Sequence, residues 1–174
     1  MANRKVILYI SMSLDGFLAT NDDDLSWLSA IEKEGIDYGY TAMTNSVDTY
    51  IVGRATYDVV RNLLDGDFPQ AKQYKCYVIT RQEREPENGV TFYNGPMEQL
   101  IAEIRSTEGK HIYCDGGGQV VKLLMEKDLI DEYPITVVPV VLGAGKRLFV
   151  GGIPSFPLTC TNSTHYETGA VMLT

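Results

Sequence analysis

Two short stretches of this chain carry residue types suited to holding a phosphate. Gly116-Gly117-Gly118-Gln119-Val120-Val121 follows an apolar run, His111–Asp115, and leads into Val120–Lys127, which reads as a helix. Glycines at such a junction let backbone N–H groups approach an anion, and the helix N-terminus adds partial positive charge there. Gly53-Arg54-Ala55-Thr56-Tyr57 repeats the arrangement after another strand-like run, with the Arg54 guanidinium and the Thr56 hydroxyl added. Either turn alone reads equally well as a tight strand-to-helix connection. Together they are more specific, because parallel sheets take ligands at the carboxyl ends of their strands, where both turns fall. A pyrophosphate between two helix N-termini accounts for both.

A third strand-like run, Tyr77-Val78-Ile79, ends in Thr80-Arg81. Arginine's fixed fork of donors suits a further phosphate such as the 2′-phosphate of NADP. The plain alternative is an exposed charged loop with Glu83, Arg84 and Glu85. In Ser11–Leu18 the dipeptide Asp15-Gly16 marks a turn, so Asp15 reads as a backbone-bonding turn residue rather than an acid catalyst. The acidic loop Asn21–Asp24 lacks the spacing and terminal glutamate of a calcium loop. Val138–Phe149, with Pro139, Gly143 and Gly145 inside an apolar stretch, reads as a bent strand at a sheet edge or dimer interface.

The elements that must position these residues alternate. Val6–Ser11, Thr49–Val52, Cys76–Thr80, Val90–Tyr93 and Ile112–Cys114 read as strands. Leu28–Thr44 has roughly helical apolar spacing, weakened by Gly35 and Gly39. Ala55–Leu64, the stretch from Pro96 to a stop at Gly109, and Val120–Glu126 complete the helices. After Glu132 only strands follow: Tyr133–Val141, Arg147–Val150, Leu158–Tyr166 and Ala170–Leu173. Such alternation predicts an α/β fold: a mostly parallel central sheet, helices on both faces and an antiparallel C-terminal edge. No repeat or linker interrupts residues 1–174, so one domain is expected.

Composition narrows the function classes. The 174 residues are 44% hydrophobic and 22% charged, with a net charge of -8 and scattered basic residues. That balance argues against nucleic acid as a partner. Cys76, Cys114 and Cys160 lie far apart, which predicts buried, reduced thiols in a cytoplasmic protein. His111 and His165 have no metal-type neighbours in sequence, so no metal site is expected. The opening run Val6–Ile10 is too short for a signal peptide, and no stretch approaches transmembrane length.

In this order along essentially the whole chain, these motifs resemble the dihydrofolate-reductase-like family, closest to the reductase C-terminal domain of riboflavin-biosynthesis proteins. The motifs are Ser13-x-Asp15-Gly16, Gly53-Arg54-x-Thr56-Tyr57, the strand ending Thr80-Arg81, the triple glycine, Asp131-Glu132, and Pro139-Val-Val-Leu-Gly-x-Gly-x-x-Leu-Phe149. The resemblance implies the three-layer fold of that family and NADPH along the carboxyl edge of the sheet. Gly53, Arg54 and Thr56 would meet the pyrophosphate and the 2′-phosphate side, and Thr80 and Arg81 the adenosine phosphate. Gly117, Gly118, Gln119 and Val120 would cradle the pyrophosphate, with Gly116 joined to Gly117 by a cis peptide. Ile10, Ser11 and Leu18 would border the nicotinamide.

The activity so implied is reduction of a pyrimidine- or pteridine-like heterocycle, similar to 5-amino-6-(5-phosphoribosylamino)uracil reductase of riboflavin biosynthesis. Dihydrofolate reduction and a non-catalytic NADP-binding module are the alternatives. The family's ring-holding carboxylate on the first long helix has two counterparts by position, Glu32 and Asp37, which are the candidate proton donors. Trp27, Phe17 and Tyr57 could wall a planar substrate, although aromatic core packing is the commoner role. Thr136 could hydrogen-bond it. The strand-rich tail and the resemblance both imply a homodimer. The zinc-binding His/Cys pattern of a deaminase domain is missing from the sequence.

Overall fold

The computed structural model describes residues 4–153 and 155–174. The first apolar run does not form one unbroken strand. It splits into β1 (Val6–Leu8) and β2 (Ile10–Ser13), because at Tyr9 the chain gives up β7 (His111–Gly116) while the segment from Glu132 to Val138 continues beside it. β1 pairs in parallel with β7, and β2 pairs in parallel with β8 (Ile135–Val138). Between β2 and β7 come β3 (Phe17–Ala19), a 3-10 turn at Ser26–Ile31, α1 (Tyr40–Ser46), β4 (Val47–Gly53), α2 (Arg54–Leu63), a second 3-10 turn at Pro69–Lys72, β5 (Lys75–Ile79), β6 (Val90–Tyr93) and α3 (Met97–Ser106). α4 (Gly118–Met125) follows β7, and β9 (Lys146–Arg147), β10 (Ser163–His165) and β11 (Val171–Leu173) follow β8.

Five strands run parallel in the order β1-β7-β4-β5-β6. Four more run β10-β11-β8-β2, with β11 antiparallel to both of its neighbours. This is the mostly parallel sheet with an antiparallel C-terminal edge that the residue pattern predicts. Strand alternation sorts the core onto two faces. Ile51, Ile79, Ile112 and Cys114 face α3 and α4, whereas Tyr50, Val52, Val78 and Tyr113 face α1 and α2. Among the described residues, no helix is long and apolar enough to cross a membrane.

Several expectations are corrected. The helix expected over Leu28–Thr44 is a 3-10 turn and a short α1, because Gly35, Tyr38 and Gly39 take φ of +83°, +55° and +80°. A right-handed helix cannot pass through left-handed residues. Strand structure after Glu132 is shorter than expected, and β9 pairs with β3 rather than extending the sheet. Pro139 lacks an N–H, and the chain turns back through Gly143 and Gly145 at φ of +76° and +151°. Cys76 and Cys114 are buried, and burial pushes both thiols up to about 12, but Cys160 is exposed.

Gly109 does not cap α3, which stops at Ser106 with Thr107 closing onto Ile104. Its smallness serves another purpose. A methyl group there would lie 2.4 Å from Asp48 Oδ2 and 2.8 Å from the Arg4 guanidinium. Arg4 is 4% exposed, yet its donors are spent on the Lys110 and Ile104 carbonyls, the Thr49 and Thr107 hydroxyls and the Asp48 carboxylate. This hub ties the start of β4, the end of α3 and the approach to β7 at the amino end of the sheet.

Candidate functional site

At the carboxyl end the sheet opens. β1 and β7 remain paired as far as Leu8 and Cys114. Beyond that point β2 follows β8, and a crevice forms between Ile10-Ser11 and Asp115-Gly116. Such a departure of neighbouring strands is where open α/β sheets take ligands. Gly116 takes φ +84° and its bond to Gly117 is cis, as the family resemblance implies. A methyl on Gly116 would meet Ile10 Cδ1 at 3.4 Å, so Ile10 stands directly across the crevice.

The two glycine turns meet here. A methyl on Gly53 would lie 3.1 Å from Val120 Cγ2 and 3.6 Å from the Gly116 carbonyl oxygen, and one on Gly117 would lie 3.3 Å from Thr56 Oγ1. Gly53 precedes α2 and Gly117 precedes α4, and neither helix start receives a side-chain cap from the described residues. Two helix N-termini with open donors thus converge on one spot, an arrangement that fits an anion. Gly118 has a different reason to be glycine: a methyl there would lie 2.3 Å from the Arg147 carbonyl oxygen.

The remaining expected cofactor residues fall around this point. β4 and β5 are neighbours, with Gly53 opposite Ile79, so Thr80 and Arg81 leave the next strand end along. Thr80 is nearly buried and its hydroxyl accepts the Gln82 N–H at 3.2 Å, while Arg81 is exposed. Arg54 is half-exposed and donates to Asp58 Oδ2 at 2.6 Å, one helical turn on. Val120 is buried, Gln119 exposed, and Leu18 packs against the core behind the crevice.

A cleft of about 630 Å³ lies beside the crevice. Ser11 lines it from β2, Leu28 and Ile31 from the 3-10 turn, and Tyr38 and Tyr40 from the approach to α1. Glu32 and Asp37 both border it. Their chemistry differs. Asp37 accepts the Gly39 and Thr41 N–H groups at 2.9 and 3.1 Å, and the Thr41 hydroxyl, Gly39 and Thr41 amides together hold its carboxyl below the usual range. These bonds favour the ionised form of Asp37, which disfavours it as a proton donor.

Two proposed substrate-wall residues are corrected. Tyr57 is fully buried, its ring edge-on to Phe68 and Phe92 with Arg61 over it, so it belongs to the α2 core. Trp27 packs with Ile31, Val138 and Tyr166, and its turn presents Leu28 and Ile31 to the cleft instead. Thr136 sits opposite Ser11 in the β2–β8 pair and is 2% exposed, beneath the cleft rather than open to it.

Asp115 is the residue that sequence reasoning missed. It is partly buried at the end of β7, immediately before the glycine triplet. Tyr113 donates its phenol to Oδ1 at 2.8 Å and Tyr50 donates to Oδ2. Burial pushes the Asp115 carboxyl up despite these two donors, and burial, with Asp115 nearby as the lesser cause, raises Tyr40 at the cleft wall. A carboxyl that resists ionisation beside a ligand crevice is suited to delivering a proton. The signal was present in the alternation of β7, which puts Tyr113 and Asp115 on one face.

This fold, with two glycine turns converging beside a cleft, is dihydrofolate-reductase-like. The chain belongs to the RibD C-terminal domain family, whose model matches residues 4–172. It is 42% identical to the Bacillus subtilis protein YwjB over 147 residues, 84% of this chain and 83% of that one. A putative riboflavin biosynthesis protein from Shewanella sp. PV-4 superposes with a TM-score of 0.86 at 28% identity, covering 97% of this chain and 96% of that one. The fold is shared with the Thermotoga maritima deaminase/5-amino-6-(5-phosphoribosylamino)uracil reductase (TM-score 0.72, 15% identity, 98% of this chain and 56% of that one). It is shared too with Enterococcus faecalis dihydrofolate reductase complexed with NADP(H) (TM-score 0.62, 13% identity, 97% and 93%).

Proposed function

We propose that the protein is an NADPH-dependent reductase of a pyrimidine- or pteridine-like heterocycle. One observation carries this reading: two uncapped helix N-termini converge at Gly53 and Gly117 beside a cleft of small-molecule size. The order β7-β4-β5 sets Gly116–Val120, Gly53–Thr56 and Thr80-Arg81 on successive strand ends, with Ile10 of β2 across the crevice from Gly116. At strand spacings of about 4.8 Å these ends lie side by side, a row of turns along which an extended ligand can run. Relatives in this fold are named as reductases, one of them complexed with NADP(H).

On this reading the Gly53 and Gly117 turns hold the pyrophosphate, and Arg54, Thr80 and Arg81 meet the adenosine phosphates. Ile10, Ser11 and Leu18 border the nicotinamide. A bound nicotinamide supplies hydride, the part of the chemistry that side chains cannot provide. The chain's own work is to orient the ring at Ser11 and Tyr40 and to move a proton. Asp115, held on both oxygens by Tyr50 and Tyr113, donates that proton, with Glu32 at the cleft rim as the alternative donor. Leu158 and Leu173 stand exposed on the C-terminal strand side, which we read as the face of a homodimer.

The test is calorimetric titration with NADPH and NADH, followed by NADPH oxidation across pteridines and aminopyrimidines. Micromolar NADPH binding with turnover of at least one ring is the expected result. Absence of NADPH binding would overturn the proposal.

A further inference from the structure

The charge of the cleft bears on what it reduces. Glu32, Glu34 and Asp37 give it three carboxylates. Lys33 is the one cation among the described lining residues, and its Nζ is already paired with Glu167 Oε2 at 2.8 Å. That pairing removes the free cation and brings a fourth carboxylate to the rim. The apolar part of the lining, Leu28, Ile31 and Ile36 with the rings of Tyr38 and Tyr40, suits a flat ring rather than a charged tail.

We infer that the reducible substrate is a neutral or cationic heterocycle without a phosphate, and that the cleft rejects the phosphorylated sugar derivative of the same ring. The inference rests on the reductase reading and deepens it. A phosphate binder needs cations or open backbone donors aimed at the anion. The cofactor seat has such donors at Gly53 and Gly117, whereas the substrate cleft offers carboxylates. A dianionic phosphate brought among Glu32, Glu34 and Asp37 meets like charge with no partner, which disfavours binding directly.

The experiment compares a 6-ribosylaminopyrimidine with its 5′-phosphate. Binding of each to the protein is measured by ligand-observed NMR, with and without NADPH, and turnover is followed by loss of NADPH absorbance. The unphosphorylated compound should bind and react at least ten-fold better in Kd or kcat/KM. Raising the salt should narrow the ratio by screening, and Glu34→Lys should narrow it at least three-fold. Equal or tighter binding of the phosphate, or failure of both compounds to bind, overturns the inference. A preference that ignores both salt and Glu34→Lys overturns the electrostatic cause. Failure of NADPH to bind removes the reductase reading alone, since the comparison without cofactor still decides the charge preference.

Discussion

The two ends of the parallel sheet are built on opposite terms. At the amino end, buried Arg4 spends its donors on Lys110, Ile104, Thr107, Thr49 and Asp48, and Gly109 leaves room for the guanidinium. At the carboxyl end, α2 and α4 start without side-chain caps from the described residues and face each other across glycines. One end satisfies its polar groups internally, and that is what stability requires. The other leaves donors for something outside the chain. The amino end is thereby closed on itself, and the carboxyl end is where the proposed ligand would find donors.

Substitutions at the two ends should separate these roles. The largest effect is expected from Gly117→Asp, which sets a carboxylate where an anion is to be held. NADPH affinity should fall more than 100-fold by calorimetry, with the folded state retained by circular dichroism. Retained affinity would contradict the cradle. Arg4→Met should do the reverse, lowering stability by about 3 kcal/mol in urea because several buried partners lose their donors, while NADPH affinity of the folded protein stays within two-fold. A comparable loss of affinity would dissolve the division between the ends.

Arg54→Ala should weaken NADPH about ten-fold more than NADH, a difference of about 1.4 kcal/mol. Equal losses would show that Arg54 does not read the 2′-phosphate. Its pairing with Asp58 sharpens the test, since Asp58→Asn frees the guanidinium and should strengthen NADPH about two-fold.

The acid–base predictions are smaller and turn on sign. Burial raises Asp115, so its proton is present below the raised pKa and lost above it. Turnover should fall as pH climbs through that range, and the limb should vanish in Asp115→Asn. The Tyr50, Tyr113 and Tyr40 phenols around it stay protonated throughout. Persistence of the limb in Asp115→Asn would return the role to Glu32. Asp15 runs the other way: the Ser13 hydroxyl and the Leu142 and Gly143 amides hold it down to about 2. Its contribution to stability is present above the ordinary carboxylate pKa and disappears as pH falls toward 2. Asp15→Asn should flatten the acid side of a stability–pH curve slightly.

Much of the carboxyl end of the sheet was legible in the sequence because its determinants are local. A glycine turn after a strand and before a helix names itself, and Asp15-Gly16 read correctly as a turn that bonds backbone. The substrate end depends on which face a side chain takes, and that is set by packing. Tyr57 looked available because it follows Gly53-Arg54, but the rotation of α2 turns its ring onto Phe68 and Phe92. Asp37 looked like an acid until α1 began at Tyr40 and took its carboxylate as a cap. Asp115 required β4 and β7 to be laid side by side, since Tyr50 lies 65 residues away in sequence.

The loss of β7 as a neighbour at Tyr9 has a consequence for how such a protein diversifies. The crevice is a gap in a backbone ladder, not a hollow carved by side chains, so its position is fixed by topology while its lining is free to vary. The segment Gly35–Gly39, with left-handed Gly35, Tyr38 and Gly39, borders the adjoining cleft and is no part of the ladder. On the reading proposed above, changes there would retune the guest without disturbing the seat of the cofactor or the frame beneath it. One chassis can then serve many rings, with novelty confined to a single replaceable lip.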